Sequence, residues 1–389
     1  RKTQGGAVTE GGKGMVLRTF YLILLLTFSH NNAFGSSATS YTLKFATLMP
    51  TGTAWTKILD DWVKEVETKS NGRIQFKMYS GGVMGDEPDV LRKIRKGQLD
   101  GGLFTGYGIG YIYSPARVLE MPFLFKNTNE SDYVREQIMP ELEVGFRSKG
   151  FELLGWPEVG FIHFFSTQTI TSIDDIKKLR IWLWQGDPLG EAFFNAAGIN
   201  PIPLSIMDVY TQLSARHGSI DTVYTSTFGA IALQWYSKLK YATRIPLTNA
   251  IGGLIVSNRF YNKLPPDLQQ LLKTSGKTLG DQIRLSAREE NQKSITILEK
   301  NGIEFMLDWD DVDMDKILTI RDNAATYLEQ TNYIPTSMFA KTQKILADYR
   351  ARHADQANDG SNIGSAPGTA KPTAQNPDKS TGSAENPGD

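Results

Sequence analysis

The chain has 389 residues, enough for two domains of ordinary size. Its 42 basic and 42 acidic residues balance, which argues against binding of duplex nucleic acid, because such proteins carry clustered positive charge. Cysteine is absent, and this excludes disulfides, thiolate metal sites, iron–sulfur clusters and a cysteine nucleophile. Four histidines leave little room for a histidine-based metal site. We therefore expect no metal, no cofactor and no nucleic-acid partner.

Residues 1–38 are predicted to be a leader. Arg18 precedes an apolar run of nine residues, 20–28, and small residues follow near Gly35 and Ala38. This order is typical of a secretory signal peptide, and the run is shorter than the roughly 20 residues that cross a bilayer. Met15 is then a candidate start, with an upstream extension before it. An uncleaved N-terminal anchor is the alternative; cleavage would release a soluble periplasmic protein.

Residues 354–389 are predicted to be a disordered tail. They are dominated by Gly, Ser, Pro, Asn, Asp and Thr, and Ile363 is the one aliphatic residue there apart from Ala and Pro. Such a composition cannot bury enough apolar surface to offset the entropy of ordering. The folded body is therefore expected at 41–350.

The body is predicted to alternate strands and helices. In chain order the patterns predict strand 41–49, helix 55–70, strand 74–78, helix 88–96, strand 101–105, helix 132–149, strand 151–156, strand 180–184, helix 188–198, helix 205–216 and helix 265–301. The last helix is predicted despite Gly276 and Gly280. Strands separated by helices indicate an α/β fold with mostly parallel sheets.

Two similar junctions occur at 97–100 and 218–221, where Gly ends a helix and an apolar residue followed by Asp begins a strand. Each strand then reaches a polar and aromatic tip, at 104–107 and at 224–226. Ligands in open α/β sheets bind outside the carboxyl ends of strands, so two such lobes would enclose a ligand between them. The alternative is that any α/β chain repeats junctions of this kind.

Motifs for catalysis or nucleotide binding are missing. The chain has no Walker A loop, no GxSxG elbow and no HExxH pair. Segment 106–110 resembles part of a dinucleotide loop but lacks its third glycine, and a flexible rim loop is the preferred interpretation. The acidic run 308–315 fails the EF-hand spacing and is interpreted as a turn that caps the helix after Asp313. His163 and His217 are interpreted as structural or surface residues, so we expect no enzyme.

Aromatic residues are the positive signal. Trp182 and Trp184 alternate with Leu183, so both face one side of a strand. Segment 185–188 follows directly and begins a helix, a place where binding sites form. Either these rings fill a core or they contact a ligand.

Several short motifs follow one another along the body in the same order as in a known protein family. They are 72–74, 84–87, 97–100, 121–125, 198–203, 208–210, 218–221 and 264–268. With them, residues 41–349 resemble the periplasmic substrate-binding subunit of tripartite ATP-independent periplasmic (TRAP) transporters. The resemblance implies a bilobal periplasmic-binding-protein-like fold, with two mixed α/β domains joined by crossing strands and a long bracing helix. It also implies a solute bound in the cleft and delivered to TRAP membrane permease subunits.

The resemblance further predicts domain boundaries. Lobe I would comprise 41–156 and 248–275, lobe II would comprise 157–247 and 295–350, and the inter-lobe helix would be 276–294. Some systems of this family also involve a periplasmic tetratricopeptide helper, which the resemblance adds as a further candidate partner. A binding protein that feeds a sensor and a secreted hydrolase are the alternative functions.

The departures from the family pattern fall at the site. Trp182 stands where most members have an arginine that clamps a carboxylate, and Ile162 stands at the position of a second arginine. Thr225 replaces a family Asn, whereas Glu158 matches a family Glu. Loss of both clamps predicts a ligand that is less acidic and more apolar or aromatic than the usual organic acids.

The predicted ligand-binding residues form two groups. The apolar walls are Trp182, Trp184, Tyr224, Tyr107, Phe161 and Ile206, and the polar groups that orient the ligand are Thr105, Thr225, Gln185 and Glu158.

Overall fold

The computed structural model describes residue 6 and residues 39–353. The leader predicted at 1–38 and the tail predicted at 354–389 lie outside these described residues, except for residue 6. None of the helices in residues 39–353 combines the length and the apolar character needed to cross a membrane.

The strands of the described chain agree with the predicted ones to within a few residues and include several that the sequence patterns missed. They are β1 (Tyr41–Thr47), β2 (Ile74–Tyr79), β3 (Gly101–Thr105), β4 (Phe151–Gly155), β5 (Glu158–Ser166), β6 (Trp182–Trp184), β7 (Ile202–Leu204), β8 (Thr222–Ser226), β9 (Tyr241–Thr243), β10 (Thr248–Ser257) and β11 (Glu304–Met306).

The helices surround these strands. They are α1 (Ala54–Lys69), α2 (Glu87–Arg95), α3 (Gly106–Tyr113), α4 (Thr128–Ser148), α5 (Ile173–Ile176), α6 (Pro188–Ala196), α7 (Ile206–Ser214), α8 (Thr227–Ala232), α9 (Asn258–Tyr261), α10 (Pro266–Lys300), α11 (Met314–Gln330) and α12 (Thr336–Arg352). Short 3-10 helices occur at Ser114–Glu120, Trp235–Lys238 and Trp309–Asp311.

Two strands pass between the two halves of the main sheet, whose order is β11-β9-β5-β10-β3-β1-β2, with β4 on β10 and β8 on β5. The first residues of β10 pair with β5, from Thr248 opposite Ile162, and its later residues pair with β3 and β4. The second half of β5 pairs with β8 and β9. We call the half with β1 to β4 lobe I. Lobe II is the half with β8, β9 and β11, together with a separate two-stranded sheet of β6 and β7. The crossing strands that the resemblance implied are therefore present.

The expectation of mostly parallel sheets is wrong. The pairs β1–β3, β9–β11 and β6–β7 are parallel, but β10 runs antiparallel to β3, β4 and β5, and β5 runs antiparallel to β8 and β9. The reason is topological. The direction of a strand that crosses from one lobe to the other is set by the crossing itself. The alternation of strands and helices along the chain therefore does not predict whether such a strand runs parallel or antiparallel to its neighbours.

Helix α10 braces both lobes. It packs against α1 and β4 on lobe I and against β5 and α8 further along. Its two internal glycines mark the closest approach to the sheet, because a Cβ on Gly280 would lie 2.6 Å from the backbone nitrogen of Trp156, and a Cβ on Gly276 would lie 2.7 Å from the Cβ of Leu154. The glycines that weaken the helical pattern in the sequence are thus the ones that let the helix touch β4.

Replacement of Gly280 by alanine is expected to lower the free energy of unfolding by about 1–3 kcal/mol. Alanine favours a helix by about 1 kcal/mol over glycine, but the contact with the Trp156 backbone has no flexible side chain to move aside. Urea unfolding measures the difference. Thr278→Ala, at an exposed position of the same helix, is the control and should change stability by less than about 1 kcal/mol. If Gly280→Ala left the free energy of unfolding unchanged, the close packing of α10 against β4 would be contradicted.

The segment at 106–110 forms the start of helix α3, so the interpretation as a flexible rim loop is wrong. The carboxyl oxygens of Glu87 accept hydrogen bonds from the backbone nitrogens of Thr105 at 2.7 Å and Gly108 at 2.6 Å, and Glu87 therefore caps this helix from outside. The glycines have a packing role. A Cβ on Gly106 would collide with Glu120, and one on Gly110 would collide with the hydroxyl of Tyr333.

The acidic run and His163 have structural roles. The carboxylate of Asp313 accepts from the backbone nitrogens of Asp315 and Lys316, and so caps α11 as predicted. Nδ1 of His163 lies 2.9 Å from the carbonyl oxygen of Thr243, which ties β5 to β9. No cluster of potential metal ligands occurs within residues 39–353.

Candidate functional site

A cavity of about 220 Å³ lies between the lobes. Its walls include the carboxyl ends of β1 and β3 from lobe I and of β6 and β8 from lobe II, while the crossing strands supply Ile162 and Ala250. This is the position at which open α/β sheets bind ligands. The two strand tips at 104–107 and 224–226 therefore meet at one cavity.

Four aromatic rings form a continuous wall of this cavity. Tyr107 of lobe I stacks on Trp184 of lobe II with ring centroids 4.7 Å apart. Trp184 lies 5.3 Å from Trp182, which stacks on Tyr224 at 5.1 Å. Trp182 is also buried in the lobe II core, where it packs on Trp235 and donates its indole N–H to the carbonyl of Leu204 at 3.0 Å. The ring of Trp182 thus both fills the core and lines the cavity.

Hydrogen bonds between the lobes hold this cavity closed. The hydroxyl of Tyr107 donates to the carbonyl oxygen of Gln185 at 2.7 Å. On the other side of Trp184, the carboxylate of Asp86 accepts from the indole N–H of Trp184 at 3.1 Å and from the Ser205 hydroxyl at 2.7 Å. It also accepts from the backbone nitrogen of Ile206. Asp86 belongs to lobe I and the three donors to lobe II, so the structure is a closed conformation.

Eight of the ten predicted site residues line the cavity. They are Trp182, Trp184, Tyr224, Thr225, Thr105, Tyr107, Glu158 and Ile206. Gln185 and Phe161 are not among the lining residues. Gln185 offers its backbone carbonyl to Tyr107, and Phe161 alternates with Ile162 along β5, so Phe161 points to the other face. Their role in ligand binding stays a prediction.

Glu158 is already engaged within the protein. Both of its carboxylate oxygens accept from the Arg288 guanidinium of α10, at 2.7 and 2.8 Å. Arg288 also binds Asp132 of lobe I with two hydrogen bonds. Glu158 therefore ties the start of a crossing strand to the bracing helix as well as lining the cavity.

A buried ion cluster that sequence reasoning missed also lines the cavity. Arg117 donates from Nη1 and Nη2 to the two carboxylate oxygens of Asp187, at 2.9 and 3.1 Å, and its Nε lies 2.5 Å from Glu120. All three side chains are buried. Burial lowers the pKa of Arg117, but the two carboxylates raise it well above the usual value, so the guanidinium stays charged. The sequence marked Asp187 only as a helix cap, and no element was predicted at Arg117.

Glu87 is a further buried acid of the cavity that the sequence did not reveal. Burial is the main cause that raises the pKa of its carboxyl to about 8, and the charge of Asp86 adds to the shift. Hydrogen bonds from Thr105 and Gly108 act in the opposite direction. Glu87 is therefore largely uncharged at neutral pH.

The indole N–H of Trp55 is a buried donor at the cavity without a hydrogen-bond partner among the described residues. Trp55 lines the cavity, and its ring packs at a tilt against Phe228 with centroids 4.6 Å apart. A buried N–H without a partner is costly, so an acceptor atom beside it would be stabilising. Among the lining residues of the described chain, Arg117 is the only cation.

Comparison with known proteins identifies the family. A model of DctP, described as bacterial extracellular solute-binding protein, family 7, matches residues 45–312, more than two thirds of the chain. The 2,3-diketo-L-gulonate-binding periplasmic protein YiaO of Escherichia coli is 23% identical over 252 residues, which cover 63% of this chain and 74% of that protein.

Solved structures share the fold. A TRAP periplasmic solute binding protein from Pseudomonas putida F1 with bound D-glucuronate superposes with a TM-score of 0.70 at 24% identity, over 79% of this chain and 96% of that one. The sugar acid binding protein DctPAm from Advenella mimigardefordensis, in complex with galactonate, gives a TM-score of 0.72 at 17% identity, over 80% and 99% of the two chains. The bilobal α/β fold that the motifs predicted is confirmed. The chain belongs to family 7 of the bacterial extracellular solute-binding proteins, the TRAP solute-binding proteins, which bind rather than transform their ligands.

Proposed function

We propose that this protein captures, outside the cytoplasm, a small ligand that is uncharged and more apolar or aromatic than an organic acid, and that it delivers this ligand to TRAP permease subunits. The cavity between the lobes is the proposed binding site. The observation that carries the proposal is the state of Arg117, the only cation among the lining residues of the described chain, because its guanidinium is already bound by Asp187 and Glu120.

The charges around the cavity disfavour an acid. Arg117 faces two carboxylates of its own, and Glu158 is held by Arg288. A carboxylate that entered would lose its hydration without gaining a free guanidinium, and burial of an unpaired charge is strongly unfavourable. The proteins with bound D-glucuronate and galactonate show that relatives of this fold hold acids. Trp182 and Ile162, at the positions where the family resemblance places clamp arginines, support a different preference here.

The remaining surface favours apolar and aromatic atoms. The rings of Tyr107, Trp184, Trp182 and Tyr224 would contribute about 25 cal/mol for each Å² of apolar area that a ligand buries. The unpaired N–H of Trp55 would pair with one acceptor, such as a carbonyl or hydroxyl oxygen. A ligand of this kind would also suit a tetratricopeptide helper that shields apolar cargo, and a signal peptide at 1–38 would bring the protein to the periplasm.

The proposal can be tested by native mass spectrometry and by paired probes. Native mass spectrometry of protein freshly isolated from the cell envelope is expected to show an uncharged co-purifying molecule. Calorimetry should then show that benzamide and hexanamide bind at least about tenfold more tightly than benzoate and hexanoate, because only the acids carry a charge into the cavity. Co-purification of a sugar acid, or tighter binding of either acid than of its amide, would refute the proposal.

A further inference from the structure

We propose that Asp187 is a specificity-determining residue, whose carboxylate occupies the Arg117 guanidinium and thereby excludes ligand carboxylates from the cavity. This inference rests on the function proposed above and explains it. The Asp187 carboxylate occupies the place beside Arg117 that the carboxylate of an acidic ligand would otherwise take.

The geometry of the pair is that of a bound carboxylate. The two Nη atoms of Arg117 donate to the two oxygens of Asp187 at 2.9 and 3.1 Å, the parallel arrangement that makes arginine selective for carboxylates. Arg117 belongs to the 3-10 helix Ser114–Glu120, which packs against α3 and α4 of lobe I. Asp187 lies between β6 and α6 of lobe II. The pair therefore spans the lobes in the way that a bridging ligand would.

Asp187 is held in this position by its own backbone. It is the N-cap of α6, where its carboxylate accepts from the backbone nitrogen of Leu189 at 3.3 Å, and Pro188 is the first residue of the helix. The carboxylate is thus presented to Arg117 at little entropic cost. A free ligand acid would have to displace a group that is tethered beside its partner.

The charges of the Arg117 cluster also disfavour the entry of a ligand carboxylate. Arg117 carries one positive charge, and Glu120 approaches its Nε while also accepting from the backbone nitrogen of Ile251 at 2.8 Å. With Asp187, the cluster holds two carboxyl groups for one guanidinium. An additional carboxylate would meet carboxyl groups and no free N–H fork, whereas a neutral ligand would meet no such repulsion.

The test is a change of Asp187 that keeps the helix cap. In the Asp187→Asn variant the amide oxygen can still cap α6, but the competing charge is gone. Calorimetry at pH 7 with benzoate is expected to show at least about a tenfold gain in affinity over the wild-type protein, since the benzoate carboxylate can then form charged hydrogen bonds with the Arg117 guanidinium. The affinity for benzamide is expected to change by less than about threefold, because the amide gains no charge interaction.

A second variant and a matched control guard against misfolding effects. Asp187→Ala leaves a space beside Arg117, so acetate, but not chloride, is expected to raise its thermal midpoint. Asp221→Asn removes a carboxylate from another Asp–Arg pair, with Arg180, that does not line the cavity. This control should leave the preference for benzamide over benzoate intact.

The outcomes separate the two proposals. If the wild-type protein binds benzoate as tightly as benzamide, the proposed function fails. If the wild-type protein prefers benzamide, and the folded Asp187 variants gain neither benzoate affinity nor stabilisation by acetate, the assignment of Asp187 is overturned while the proposed function stands.

Discussion

Replacement of Arg117 by methionine is expected to lower the free energy of unfolding by about 3–5 kcal/mol, because it leaves two buried carboxylates without their cation. Asp187 and Glu120 are both buried against Arg117, and burial already raises the pKa of Glu120 in the intact cluster. Without the guanidinium, burial would favour the protonated form of Glu120 still more. The loss, measured by urea unfolding, is therefore expected to be smaller at pH 5 than at pH 8.

The control for this prediction is Arg180→Met. Arg180 also pairs with an aspartate, Asp221, but 55% of its side chain is exposed, and such pairs contribute about 1 kcal/mol or less. Asp187→Asn should also cost less than Arg117→Met, because it leaves Arg117 paired with Glu120. Equal losses for all three variants would show that the buried cluster has no special energetic role.

Stability is expected to fall as the pH rises toward 8 because of Glu87. Its folded pKa is about 8, whereas the ordinary value is 4.5, so between these values the folded state holds a proton that the unfolded state has lost. The protein should then lose up to about 1.4 kcal/mol of stability for each pH unit. His163 acts in the opposite direction below pH 6.5, because burial lowers its pKa to about 4. The effect of Glu87 is therefore clearest between pH 6.5 and 8.

Urea unfolding of Glu87→Gln over this range tests the assignment. The wild-type protein should lose stability over this range because of Glu87, and the neutral variant should not show this loss. The stability of the variant relative to the wild-type protein should therefore increase from pH 6.5 to pH 8. Asp89→Asn, in the same helix and with a side chain that is 41% exposed, is the control and should leave the pH dependence of stability unchanged. Parallel pH profiles for the wild-type and Glu87→Gln proteins would mean that the carboxyl is ionised in the folded state.

The elements most accurately predicted are those whose signals lie within a few residues of each other. Helix α1 ends before Asn71 and Gly72, both of which have positive φ angles, as the Asn-Gly pair indicated. Helix α6 begins after Asp187 and at Pro188, as that pair indicated. Caps, turns and apolar periodicity act locally, so the printed sequence is sufficient to locate them.

The incorrect predictions concern features that depend on contacts between residues distant in sequence. Helix α3 was missed because its glycines satisfy contacts with Glu120 and Tyr333, which are distant in sequence, and because Glu87 caps it from another helix. The strand directions were misjudged because crossing strands obey the topology of two lobes rather than the order of elements. Neither fact leaves a periodic signal in the segment itself.

The sequence by itself determined the family, the order of most elements, the bilobal fold through its motifs and the aromatic strand with Trp182 and Trp184. Only the tertiary structure decided that Arg117 and Asp187 form one ion cluster at the cavity, although 70 residues separate them. It also decided that Glu158 pairs with Arg288 and that Phe161 faces away from the cavity. The physical reason is that local propensity depends on neighbouring residues, whereas the charge and shape of a binding cavity depend on groups that folding brings together from both lobes.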